Sequence, residues 1–117
     1  MNFQDYQGYI LPAAILGFFI WRSFKFRKVK SQLPHLLENG AVIIDVRSSA
    51  EFQRASRPGS INIPLSELSA KAKSLDKKKT IVLCCASGTR SGMAVGILKK
   101  NGFPRVLNIG SWTNTLA

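Results

Sequence analysis

Apolar residues in this chain fall into runs of two different periods. Three runs are short, unbroken and rich in β-branched residues: AVIIDV over 41–46, TIVLC over 80–84 and RVLNI over 105–109. Such runs predict strands buried on both faces, as in a parallel sheet. Between them the spacing turns helical. SAEFQRA predicts a short helix and RPGS a turn, after which Ser66 opens a further helix, SELSAKAKSL, ahead of a solvated charged run from Asp76 to Lys79. SGMAVGILKKNG over 91–102 predicts a helix with Met93, Ala94, Ile97 and Leu98 turned inward and Gly102 as its stop. Ahead of the first strand, Leu33, Leu36 and Leu37 share a helical face, with Ser31 as the cap, Asn39-Gly40 as the stop and His35 on the surface.

Strands that alternate with helices predict the α/β class, here a central parallel sheet flanked by helices in three layers. Sites in such sheets form beyond the carboxyl ends of the strands. A chain of 117 residues has room for one domain. The expected division is an N-terminal segment over 1–30 and the domain over 31–117.

The N-terminal segment is of another kind. From Tyr6 to Trp21, YQGYILPAAILGFFIW carries no charge, and its strongly apolar part from Tyr9 spans about 20 Å as a helix at ~1.5 Å per residue. That is short of a ~30 Å hydrocarbon core. Tyr6 and Tyr9 at one end and Trp21 at the other sit where interfacial aromatics belong, and Arg22 and Lys25 can snorkel to extend the reach. One transmembrane helix is the expectation. The alternatives for so short a run are a helix lying in the membrane interface or a signal-peptide core, although no Lys or Arg precedes it as in a cleaved signal. RSFKFRKVK adds five positive charges directly after Trp21. The positive-inside bias then predicts a single-pass protein of the cell membrane with its domain facing the cytoplasm.

This cluster and the domain share the net charge of +11. A basic balance suits anionic lipid or small anionic substrates; no nucleic-acid motif accompanies it, so nucleic acid is not an expected partner. The only cysteines, Cys84 and Cys85, are adjacent, and neighbours seldom form a disulfide. A reducing compartment is the simpler expectation.

Cys85 stands between a hydrophobic strand and a helix, so the amides of Ala86, Ser87, Gly88, Thr89 and Arg90 can curl around its sulfur, backed by the helix N-terminus. Arg90 would add positive charge, and the Ser87 and Thr89 hydroxyls would add donors. Each favours thiolate over thiol, so the thiol should titrate below the ordinary value of about 8.5. Gly88 supplies the residue without a β-carbon that so tight a loop requires.

These residues resemble a known family. CASGTR matches the CxxGxR active-site loop of rhodaneses, IVLCCASGTRSGMAVGILKKNGFPRVLNIG looks like that family's second half, and IIDVR, EF and INIPLSEL follow its first half in order. The resemblance covers about residues 30–117. It implies that Cys85 attacks a sulfane sulfur donor, such as thiosulfate or a persulfide, holds the outer sulfur as a persulfide and yields it to a thiol or cyanide. It implies no metal or cofactor. Asp45, Arg47 and Glu51 take the family's supporting positions, where ion pairs and hydrogen bonds fix the loops. Some positions depart from the pattern: Ser56 stands where many relatives have His, and Ala86 where many thiosulfate users have Arg or Lys. Thiosulfate is therefore in doubt as the natural donor. The terminal helix is abbreviated to GSWTNTLA and the strand before the first helix is reduced to Lys28–Lys30, so the sheet is expected to lose an edge.

Two other functions compete. A membrane-tethered module of this kind can serve for docking or as a sulfur carrier without turnover. Counted from Cys84, CCASGTR has the loop length of cysteine-dependent phosphatases and arsenate reductases, but Gly88 falls three residues after Cys85, as in CxxGxR. Cys84 itself reads as the last strand residue, packed as a small hydrophobe, with a resolving role as the alternative.

Overall fold

The structure, a computed structural model, describes residues 3–116. After a 3-10 turn at Phe3–Tyr6, helix α1 runs without interruption over Gln7–Glu38. There follow β1 (Val42–Asp45), α2 (Ser49–Arg54), β2 (Ile61–Asn62), α3 (Leu65–Lys71), β3 (Ile81–Cys85), α4 (Thr89–Lys100) and β4 (Val106–Ser111), with 3-10 turns at Ala72–Ser74 and Trp112–Thr115. All strands are parallel, in the order β2-β1-β3-β4.

Successive strand positions point to opposite faces, and this sorts the apolar runs into two cores. Ile44, Val46, Ile81, Leu83 and Cys85 pack with Leu68 of α3 and with Ala94 and Leu98 of α4. Ile43, Val82, Cys84 and Ile109 pack on the other side around Leu33 of α1. The sheet is thus covered on both faces. It takes the last third of α1 to cover the second one.

Both long helices stop as predicted. At the end of α1 the Gly40 amide donates to Leu37 and the Ala41 amide to Leu36, with Gly40 at φ +87°. At the end of α4 the Gly102 amide donates to Lys99 and the Phe103 amide to Leu98, and Phe103 packs in the same core as Leu98. These paired bonds satisfy carbonyls that a helix end leaves open.

Several boundaries differ from the expectation. Ser31 does not cap a helix: its hydroxyl donates to the Lys28 carbonyl within α1. Residues 22–30 are mostly good helix formers with no glycine or proline among them, so the helix propagates through them. The boundary expected at residue 30 falls inside this helix, and Lys28–Lys30 are helical rather than a strand remnant. β4 is left at the sheet edge, flanked by α1. The two-residue strand β2 lay hidden in INIPLSEL, too short for a period to register. Met93, expected inward, is 60% exposed, because Ala94 and Leu98 take the buried stripe of α4.

From residue 7 to residue 21, α1 is exposed throughout. Tyr9, Leu11, Leu16 and Phe19 are exposed, and the helix is long and apolar enough to cross a membrane with none of its apolar window buried. Its burial therefore changes along its length, which predicts a contrast. Leu33→Ala, at a site 2% exposed, should lower stability by about 2–5 kcal/mol through the cavity it leaves. Leu16→Ala, at a site 62% exposed, should stay within about 0.5 kcal/mol. Denaturant unfolding of the full chain in mild detergent measures both, and equal losses would contradict the two-part reading of α1.

Candidate active site

β3 carries Cys84 and Cys85 to the carboxyl end of the sheet, and Cys85 is its last residue, one further than the sequence predicted. Gly88, at φ +99°, then turns the chain and caps α4, which starts at Thr89 rather than at Ser91. This left-handed turn brings the Gly88 amide back onto Cys85 Sγ, to which it donates at 2.9 Å. A side chain at Gly88 would meet the strained backbone conformation as well as atoms of Phe26, Arg22 and Gly110 within 3.1 Å.

Opposite the loop, β4 bulges. Leu83 pairs with Asn108 but Cys84 with Gly110, so Ile109 is the extra residue. Beside the bulge the Asn108 side-chain amide donates to the Gly88 carbonyl at 3.0 Å, and its oxygen accepts from the Gly110 amide at 2.9 Å and the Ser91 hydroxyl at 2.7 Å. Ser91 Oγ also lies 3.3 Å from Cys85 Sγ. Its single proton is shared between a carboxamide oxygen and the sulfur.

Burial alone would push the Cys85 thiol up. The Ser91 hydroxyl and the amides of Ser91, Ser87 and Gly88 outweigh it, and the group titrates below an ordinary thiol. Of the expected cradle the amides of Ser87 and Gly88 face the sulfur, and Ser91 joins them. Thr89 Oγ1 accepts from Arg22 of α1, and Ala86 and Ser87 lie exposed at the rim. Ser91 and Asn108 were not foreseen as site residues. A signal was available: Ser91 shares the apolar stripe with Ala94 and Leu98, and a polar residue at a core position demands a partner.

Arg90 does not turn to the sulfur. Its guanidinium forks onto Glu51, with Nη1–Oε1 at 2.7 Å and Nη2–Oε2 at 3.0 Å. That pairing, aided by Ser48, brings the Glu51 carboxyl down to about 2. The pair links the first turn of α4 to α2, where Glu51 also closes the capping box with Ser48.

Asp45 and Arg47 form a buried pair 2.8 Å apart at the end of β1. Arg47 also donates to the Ala55 carbonyl and stacks over Trp112, while Asn62 of β2 donates to the carbonyls of Asp45 and Arg47. Held by Asp45, the Arg47 guanidinium ties the end of β1 to the segment after α2 and to Trp112.

Cys84 faces the opposite core. Burial, with Asp45 adding to it, pushes its thiol up to about 12. A group in that state supplies no nucleophile at neutral pH.

Known proteins resemble this chain in sequence and fold. The sequence model of the rhodanese-like domain matches residues 29–116. YrkF of Bacillus subtilis, whose name proposes a sulfur carrier, is 42% identical over 67 residues, which cover 57% of this chain and 36% of that protein. The thiosulfate sulfurtransferase PspE of Escherichia coli is 38% identical over 69 residues, covering 57% of this chain and 66% of that protein. The crystal structure of a rhodanese-related protein from Thermoplasma volcanium superposes with a TM-score of 0.65 at 33% identity, over 74% of this chain and 86% of the other. The chain thus spans about a third of the length of YrkF and more of the shorter relatives. The strand, cysteine turn and helix described above lie within the matched residues, and this chain belongs to the rhodanese-like family of sulfurtransferases and sulfur carriers.

Proposed function

We propose that the protein is a membrane-tethered sulfurtransferase that passes a sulfane sulfur through a persulfide on Cys85. The observation that carries this reading is the sulfur at the centre of the turn, accepting from the Gly88 amide and lying beside the Ser91 hydroxyl. In the first step the Cys85 thiolate attacks the outer sulfur of thiosulfate or of a persulfide, the donor's S–S bond breaks, and sulfite or a thiolate leaves with the bonding pair. In the second, an acceptor thiolate or cyanide attacks the terminal sulfur, and Cys85 leaves as thiolate. Sulfur moves at the level of a sulfane atom, so no outside oxidant or reductant enters. Gly88, Ser91 and Ser87 stabilise the leaving thiolate of the second step as they stabilise the attacking one of the first. Arg90, Glu51, Asp45 and Arg47 hold the loop between its neighbours.

The alternative is a non-enzymatic module, serving for docking or as a sulfur carrier that holds the same persulfide for a partner without turnover. YrkF's name keeps that version in view. Phosphatase or arsenate chemistry at Cys84 is opposed by that thiol's burial in the other core and its position near 12.

The tether reading rests on the exposed apolar half of α1 and the basic cluster after Trp21. The helix would cross the cell membrane once, with the domain on the cytoplasmic side. In cells making the full chain, the protein should stay in the membrane pellet through alkaline carbonate and leave it in detergent. Protease should digest the domain in inside-out vesicles and spare it in right-side-out ones. Release by carbonate would replace the span with a helix lying in the interface.

For the chemistry, incubation with thiosulfate, and separately with a small persulfide, should add one sulfur to the intact mass of the unmodified protein and of Cys84→Ser, and none to Cys85→Ser. No added mass from any donor would end the sulfurtransferase reading. Repeated turnover onto a small thiol separates the enzyme from the carrier.

The cradle has its own test. Hydrogen bonds to the charged sulfur hold its pKa down, so deleting one raises it and leaves less thiolate at neutral pH. Ser91→Ala should slow iodoacetamide alkylation of Cys85 at pH 7 by about tenfold, the value of one hydrogen bond to a charged group. The rates should converge at high pH, where both sulfurs are ionised. A profile unchanged by the substitution would remove Ser91 from the site.

A further inference from the structure

Two glycines of the site face the same aromatic ring. A β-carbon on Gly88 would come within 2.6 Å of Phe26 Cζ, and one on Gly110, at φ +85°, within 2.8 Å of Phe26 Cδ2. The ring of Phe26 is therefore seated against the cysteine turn on one side and the β4 bulge on the other. One helical turn earlier, Arg22 lies with its guanidinium 5.2 Å from the centre of that ring. Residues four apart share a helix face, so α1 presents the pair together. From there Arg22 Nη2 donates to the Ser87 carbonyl at 3.0 Å and to Thr89 Oγ1 at 3.3 Å.

The Ser87 carbonyl and the Gly88 N–H belong to one peptide unit, which is planar, with oxygen and hydrogen pointing in opposite directions. A cation grips the oxygen end while the hydrogen end donates to Cys85 Sγ at 2.9 Å. Charge at the carbonyl oxygen draws electron density across the amide and strengthens its N–H as a donor, and it fixes the plane about which the turn could otherwise rotate. The other charged groups around the loop are matched elsewhere: Arg90 of α4 with Glu51 of α2, and Arg47 with Asp45 at the end of β1. No carboxylate among the described residues forms a salt bridge with Arg22.

We propose that Arg22, seated on Phe26, is a positioning residue of the sulfur site, so that the helix bearing the apolar segment completes the cradle around Cys85 and is more than a tether. Both residues precede position 29, where the match to the rhodanese-like domain begins. Arg22 and Phe26 thus lie ahead of the matched residues, while the turn they touch lies within them. Arg22 also follows Trp21 directly, which docks the turn at the border of the apolar stretch. Movement of α1 at that border is transmitted to the amide that faces the sulfur. The proposal rests on the reading of Cys85 as the reacting sulfur.

The test uses the full chain in mild detergent. Arg22→Met keeps an apolar stem over Phe26 and removes the cation, Arg22→Lys restores a cation with a single grip, and Lys100→Met, at the exposed far end of α4, controls for loss of one charge. Iodoacetamide alkylation of Cys85 is followed across pH by intact mass. Arg22→Met should slow it at pH 7 by about threefold to tenfold, a part of what one charge-assisted hydrogen bond carries, with no change where the sulfur is fully ionised. Arg22→Lys should recover part of the loss, and Lys100→Met should match the unmodified protein. In sulfur transfer to a small thiol, Arg22→Met should lower kcat more than it raises KM. A pH profile of Arg22→Met that overlays the unmodified one overturns the proposal. So does a fall in thermal midpoint with no change in profile, which is the mark of a merely structural contact. Should Arg22→Met fail to fold, Thr89→Val and Phe26→Leu, which loosen the same grip from either end, must show the slowed alkylation or the proposal fails. Because alkylation needs no sulfur donor, a shifted profile in a protein that accepts no sulfur would sink the sulfurtransferase reading and leave this one standing.

Discussion

The hydrogen bond from the Gly88 amide to Cys85 Sγ requires the chain to reverse within three residues of a strand end, and it can do so only through a left-handed backbone at Gly88. Much of the surrounding structure serves that reversal. The bulge in β4 stands beside Asn108, which holds the Gly88 carbonyl; Ser91 on the first turn of α4 lies between Asn108 and the sulfur; and Phe26 closes the space that a side chain at Gly88 would have filled. The turn is held from β4, α4 and α1 at once. A sulfur buried to 1% exposure can then remain easier to ionise than a free thiol, because oriented amides replace the water it has lost.

The two adjacent cysteines show how far position governs chemistry. They share a strand, and the alternation of strand side chains sends them into different cores. Cys84 meets aliphatic side chains and the Asp45 carboxylate, and its thiol is pushed up to about 12. Cys85 meets donors and moves the other way. Burial is a cost for both. The difference lies in what faces the sulfur after water is gone.

Helix α1 joins two environments. Its last turns fill the core beneath Ile43, Val82 and Ile109, and its first half exposes apolar side chains to whatever surrounds it. Arg22 and Phe26 stand between these halves and touch the turn that holds Cys85. One continuous helix thus carries both the segment read as an anchor and the side chains that touch the turn of Cys85.

The class of fold, the parallel strands, the stops at Asn39-Gly40 and Gly102, and the place of Cys85 at a strand-to-helix turn were legible in the chain of residues, because each depends on a local period or on a residue with a special backbone. CxxGxR also identified the loop. Local pattern could not say which groups hold the sulfur and its turn. Arg90 was expected there and is taken by Glu51, while Ser91, Asn108 and Arg22 arrive from a helix face, a neighbouring strand and a helix tens of residues away. Nor could it show that α1 runs unbroken past Ser31, since that serine hydroxyl can cap a helix or bond within one, and the packing of Leu33 and Leu36 against the sheet favours the continuous form. Contacts between segments distant in the chain are decided by how the layers stack, and stacking leaves no period to read.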